Sequence, residues 1–290
     1  MVPPIPLQFL EVEGYRLAYQ EAGRGSPVLF VHGSMLDYRA WAQQMPAFAG
    51  AHTAMAVSLR HCYPERWDGR TGEFSVKRHC EDLAAFIRAR GHGPVHLVGH
   101  SRGGAVALEL ALRHPALVRG LVLADPGGLE GLLPDTPEGL AMADESVRMF
   151  ARLRDDLAAG DEQNAARVFV DALGGPLAWE RRTASQRQML LDNITTGPAC
   201  AERPRWERAQ LAALPGPIFL VTGARSPRRY HLMLPELQRC NRQVKALHVV
   251  PDAAHAMNRE NPAAFNVAVM DFIAGHCSEK MDDTSRGLVA

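Results

Sequence analysis

The 290-residue chain is poor in paired cysteine: Cys62, Cys80, Cys200, Cys240 and Cys277 are scattered with no C-x-x-C spacing, and their odd number leaves at least one unpaired. That pattern argues against a disulfide framework and for a reduced, cytoplasmic protein. No basic leader precedes an apolar h-region in MVPPIPLQFLEVEG, and no run approaches the ~18 apolar residues of a membrane span. Charge of one sign is also lacking, because Lys+Arg and Asp+Glu number 32 each. Without a basic stripe, phosphate backbones and anionic lipid have little to attract them, so a small molecule is the expected partner rather than nucleic acid or membrane. The 12 histidines include none on H-E-x-x-H or paired-cysteine spacing. His61-Cys62 and His79-Cys80 therefore read as hydrogen-bonded or solvated, and neither a metal nor a cofactor is expected.

What is present is an ordinary globular composition, 47% hydrophobic and 22% charged, in a chain long enough for a full core. Leu7 to Val12 and Tyr15 to Gln20 alternate around Glu13-Gly14 and read as a hairpin. Pro27 to Val31 is a continuous apolar strand ending at His32-Gly33-Ser34, a turn suited to aiming a backbone N–H into a crevice above a sheet. Ser34 is the candidate oxyanion donor there, with Met35 next in line. Tyr38 to Phe48 suits a short helix, Thr53 to Leu59 a strand, and Arg60 to Trp67 a polar, aromatic loop at the same sheet edge. A helix from Ser75 to about Arg90, stopped by Gly91, leads to the next strand.

That strand, Val95 to Val98, runs into Gly99-His100-Ser101-Arg102-Gly103 and then the apolar helical pattern Ala105 to Leu112. G-x-S-x-G between a strand and a helix has a steric logic. A sharp turn strains the serine backbone and exposes its hydroxyl, and only small residues two positions away let the chain fold back. The helix start also offers backbone N–H groups, including that of Arg102, where negative charge would develop. Gly120 to Ala124 is a further strand, ending in Asp125-Pro126. Repeated strand-helix alternation predicts a mostly parallel, doubly wound α/β sheet. From residue 127 to 214 no buried strand is expected. Helical patterns around 138–159, 161–173, 177–193 and 206–214 read as a cap over the crevice, with Met142, Met149, Phe150, Phe169, Trp179 and Met189 mostly in its core. Strands at 217–223 and 246–250, helices at 230–240 and 261–274, and a loose tail over 277–290 complete the chain.

With His32-Gly33-Ser34, Gly99 to Gly104 and the strand-loop His255 in this order, the chain resembles the α/β-hydrolase superfamily over roughly residues 7 to 276. The resemblance implies an α/β-hydrolase fold, with an eight-stranded, mostly parallel sheet flanked by helices. Its core domain would be 1–126 and 215–276, with a helical cap at 127–214. It also implies a Ser-acid-His triad with Ser101 as nucleophile and His255 as base. Most relatives carry the acid after the seventh strand. Here that turn, Gly223 to Arg229, has no carboxylate. Asp125 ends the sixth strand, the acid position of some branches, and takes the role ahead of Asp252. His32, His100, Met35, Trp179 and Met257 are expected around the substrate. Because Ser101 stands where haloalkane dehalogenases and epoxide hydrolases carry an aspartate, the resemblance implies an acyl-enzyme route on a small, fairly apolar carboxylic ester, lactone or thioester. C–C cleavage and cofactor-free haloperoxidase or perhydrolase chemistry use the same triad. A non-catalytic ligand-binding role is the reading from another class.

Overall fold

The computed structural model describes residues 4–202 and 204–285, with side chains as far as residue 275. It opens with β1 (Leu7–Val12) and β2 (Tyr15–Ala22), antiparallel partners across Glu13 and Gly14. Both turn residues are left-handed, at φ +48° and +68°, the backbone that matches strand twist in a two-residue hairpin. There follow β3 (Ser26–Val31), the short α1 (Met45–Phe48), β4 (His52–Val57), α2 (Val76–Arg90), β5 (Val95–His100), α3 (Arg102–Arg113) and β6 (Val118–Ala124). Between β6 and β7 (Ile218–Gly223) lie α4 (Pro137–Ala158), α5 (Glu162–Gly174), α6 (Ala184–Asp192) and α7 (Arg208–Ala212). The chain closes with α8 (Arg228–Cys240), β8 (Val244–Val250), α9 (Met257–Glu260) and α10 (Pro262–Ser285).

The eight strands form one sheet in the order β1-β2-β4-β3-β5-β6-β7-β8, antiparallel only where β2 meets β1 and β4. Helical crossovers return the chain to the same end, so the parallel strands share one carboxyl edge. The order reverses direction between β3 and β5, and at such a switch point the connections diverge and leave a crevice. The interior strands are apolar on both faces because helices cover both. Phe30 of β3, for example, is fully buried with its ring 5.0 Å from Trp41 and from Phe48. Burial of each such side chain contributes about 1.5–3 kcal/mol.

Three segments depart from the sequence expectation. Tyr38 to Phe48 is two pieces, a 3-10 turn at Tyr38–Trp41 capped by Asp37 and then α1, which restarts at Met45-Pro46. In the 177–193 pattern only α6 is helical. Leu177 is left-handed at φ +59°, and a Thr183–Gln186 capping box sets the true start. The final helix continues past Ser278 to Ser285, where a loose tail is expected from sequence, while residues 286–290 lie outside the described residues. Among the described residues Cys62, Cys80, Cys200 and Cys240 are free, and no helix is long and apolar enough to cross a membrane.

Candidate active site

Ser101 joins β5 to α3 with φ +54° and ψ −120°. A side-chain-bearing residue in such a conformation costs about 1–3 kcal/mol and persists only where its surroundings hold it. Its N–H donates to Ala124 O at 3.0 Å, and its carbonyl accepts from Gly104 N and Gly127 N, each at 2.9 Å. The flanking glycines are steric requirements. A Cβ on Gly99 would lie 2.5 Å from Gly103 O, and one on Gly103 would lie 2.2 Å from Val31 O. The Ser101 hydroxyl makes no capping bond to α3, so it is not spent on the helix it begins.

His255, 5% exposed on the loop after β8, places Nδ1 3.0 Å from Oδ2 of the fully buried Asp125 at the end of β6. With Nδ1–H donating to the carboxylate, Nε2 is the ring's acceptor. The Gly223–Arg229 turn, which lacks a carboxylate, follows β7, the strand between β6 and β8. It contributes Ser226 instead. The Ser226 hydroxyl donates to Asp125 Oδ2 at 2.6 Å and accepts from Gly223 N at 3.0 Å. Burial pushes the Asp125 carboxyl up to about 6, while Ser226 and, more weakly, Thr222 favour its charged form. Asp125 Oδ1 closes no hydrogen bond within the fold. Asp252, the other nominated acid, is exposed at the surface near Arg225, at 3.8 Å.

Two neighbours hold the imidazole in place. Tyr230 of α8 stacks on it at 5.2 Å between centroids and 16° between planes. His100 Nε2–H donates to His255 O at 2.7 Å. Burial and the adjacent His255 hold His100 well below the ordinary histidine range, consistent with a neutral ring that donates from Nε2. Ser34 is 8% exposed and borders the same small space as Ser101, Arg102, Gly127 and Tyr230. The Arg102 side chain leaves this space. Its guanidinium bonds Glu202 O at 3.2 Å and His79 Nδ1 at 3.4 Å and lies over Phe74. The Arg102 backbone N–H lies at the positive end of α3, directly after Ser101.

Ser34, His100, Ser101 and His255 line the narrow cleft above these groups. Four nominated residues are not among its lining. His32 is tied down by both ring nitrogens, donating from Nδ1 to Gly33 O at 2.8 Å and accepting Leu59 N–H at Nε2 at 2.9 Å. Burial then pushes its pKa down to about 4. Met35, left-handed at φ +53°, packs beside Gly197. Trp179 lies under Arg187, and Met257 is fully buried at the start of α9. The lining comes instead from Leu36, from Phe169, Val170 and Leu173 of α5, from Leu190 of α6, and from Arg182 and Arg259. The two arginines were not legible as site residues, because neither sits in a motif and they are brought together only by the fold.

One group has metal-ligand proximity: the ligand atoms of Cys80, Glu81 and His114 lie within 4.8 Å of one another. Burial pushes the Cys80 thiol up to about 12, and the Arg88 guanidinium lies 3.2 Å from His114 Nδ1. A protonated thiol beside a guanidinium is poor chemistry for a cation. His114 follows α3 at the end remote from Ser101.

Residues 28–268 match the alpha/beta hydrolase family. An uncharacterized protein of Mycobacterium tuberculosis is 31% identical over 133 residues, covering 44% of this chain and only 37% of that protein. The 2-hydroxymuconate semialdehyde hydrolase of Pseudomonas sp. strain CF600 is 29% identical over 277 residues, covering 90% of this chain and 91% of the relative. A thermophilic esterase from Thermogutta terrifontis shares the fold with a TM-score of 0.71 at 24% identity, covering 93% of this chain and 99% of the esterase.

Proposed function

The chain belongs to the alpha/beta hydrolase family, and from that premise we propose that it is a hydrolase cleaving a small carboxylic ester, lactone or thioester through an acyl-enzyme on Ser101. The observation that carries this reading is the buried Asp125–His255 bond at 3.0 Å beside a serine held at φ +54° in the same cleft. Ser101 Oγ attacks the carbonyl as its proton passes to His255 Nε2, and Asp125 stabilises the imidazolium so formed. The backbone N–H groups of Ser34 and Arg102 receive the oxyanion. His255 returns the proton to the departing alcohol or thiol, then takes one from water to release the acid and restore Ser101. The helices between β6 and β7 act as a cap whose α5 and α6 side chains shape the substrate.

A C–C bond hydrolase is the second reading, supported by the full-length likeness to 2-hydroxymuconate semialdehyde hydrolase. A fluorophosphonate probe is expected to label Ser101, and para-nitrophenyl butyrate turnover is expected to vanish in Ser101→Ala. A folded protein that neither labels nor cleaves any short ester, yet is stabilised by ligands equally in Ser101→Ala, would be a binding protein instead. Cleavage of a vinylogous diketone with no ester turnover would select the second reading.

A further inference from the structure

Arg182, only 9% exposed, and the partly accessible Arg259 line the same cleft as Ser101 and His255. Neither is neutralised as Arg39 and Arg60 are. Arg39 pairs with Asp37 and Asp192 at 2.7 and 2.8 Å, and Arg60 with Asp82 at 2.7 Å. Arg182 instead reaches Glu260 only at 3.9 Å, and the other oxygen of that carboxylate is taken by Ala254 N–H at 2.6 Å. Among the described residues no carboxylate lies within ion-pair distance of Arg259. Arg182 Nε, Arg259 Nε and Arg259 Nη1 are shielded from solvent without a hydrogen-bond partner. Burial and the neighbouring Arg182 push Arg259 down to about 9, which leaves it protonated at neutral pH. Removing an ion from water costs several kcal/mol unless it is paired and hydrogen-bonded. The carboxylate nearest these two guanidinium groups is the distant, half-engaged Glu260, and Asp37 and Asp171 act on them only from beyond ion-pair distance, so the pair can take one more negative charge. Apolar side chains, Leu36, Phe169, Leu173 and Leu190 among them, make up the rest of the wall.

We propose that Arg182 and Arg259 together receive a carboxylate carried by the substrate, so that the compound cleaved at Ser101 has an apolar body and a free acid group. The proposal rests on the reading of Ser101 as nucleophile. A planar guanidinium presents paired N–H donors that match the two oxygens of a carboxylate, and one such anion supplies both the missing charge and the missing acceptors.

The test uses two pairs of esters on the full chain. One pair carries the charge in the acyl half, mono-para-nitrophenyl glutarate against para-nitrophenyl hexanoate. The other carries it in the leaving group, meta-carboxyphenyl butyrate against meta-methylphenyl butyrate. The anionic member is expected to have the higher kcat/KM in at least one pair. Arg259→Gln and Arg182→Gln are each expected to lower the anionic-to-neutral ratio by about 30-fold or more, the scale for losing one partner of a buried charged pair, while Arg259→Lys retains part of it. A purely structural role would lower both esters together and leave the ratio unchanged, and that result overturns the proposal. So does a wild-type ratio at or below one in both pairs. Glutarate is also expected to raise the Tm of Ser101→Ala, and glutaramide is not. This arm keeps the carboxylate site testable even if no ester is turned over, an outcome that would count against the nucleophile and not against the arginines.

Discussion

At the strand-end rim of the cleft His100, His255 and Ser226 find protein partners and Asp125 Oδ1 is the exception, whereas at the wall made by Arg182 and Arg259 several N–H groups have none. His100 donates to His255 O, His255 bonds Asp125, and Ser226 bonds both Asp125 and Gly223 N. At the arginine wall the guanidinium groups keep unpaired N–H groups out of water. The difference separates two demands. Groups that perform chemistry gain from being oriented before substrate arrives, since reorganisation then adds nothing to the barrier. Groups that recognise charge must leave their acceptor position open, and the fold carries that cost until a ligand fills it.

The largest expected effect falls on the rim. Ser101→Ala should reduce kcat for ester cleavage by about 10⁶-fold, the scale of losing a nucleophile that works as a unit with its base. Residual turnover near wild type would remove Ser101 from the mechanism. Asp125→Asn should cost about 10⁴-fold in kcat because the amide no longer holds the imidazole in the required tautomer. An unchanged rate in a folded variant would leave the buried bond to His255 without a catalytic role. The loss of charge selectivity in the arginine variants, about 30-fold, comes next and belongs to the other wall.

Ser226→Ala should have a smaller effect with a distinctive direction. A hydrogen bond to a charged group contributes about 1.5–3 kcal/mol, and this one favours the ionised form of Asp125. Its loss should raise the carboxyl pKa and move the acidic limb of kcat/KM to higher pH. An unshifted limb with reduced kcat would show that Ser226 only positions the turn.

In the unaltered protein that acidic limb should fall near pH 6, where the Asp125 carboxyl takes up its proton. Stability should run the opposite way. Because burial raises the Asp125 carboxyl from 3.8 to about 6, the folded state holds this proton more tightly than the unfolded chain does. Its contribution is therefore fully present below about pH 4 and is lost as pH rises through about 6. Urea midpoints measured from pH 4 to 7 should show this slope in the wild type and not in Asp125→Asn. Equal slopes would place the pH dependence elsewhere.

Much of the rim was legible in the sequence because its geometry is local. Gly99 and Gly103 are needed within a few residues of Ser101, where backbone would otherwise collide, and apolar runs bounded by turn residues reveal buried strands. The gap in the Gly223–Arg229 turn was visible too, but its repair by Ser226 was not, since a serine in a turn carries no signal of the carboxylate it faces. The pocket was the least legible part. His32 and Met35 adjoin a predicted turn yet point their polar or bulky groups into the core, and Trp179 is absorbed by the helical insertion.

The sequence by itself determined the strand-turn-helix that exposes Ser101 and the order in which Ser34, Ser101, Asp125 and His255 occur, because alternation, glycine spacing and strand ends are properties of neighbouring residues. Only the tertiary structure decided that Asp125 rather than Asp252 meets His255, and that Arg182 and Arg259 stand side by side in the same cleft. Those pairings join positions 130 and 77 residues apart along the chain; sheet order brings Asp125 to His255, where pairing offsets the cost of burying the carboxylate, while the two arginines meet through packing of the helical insertion over the cleft and against that same cost.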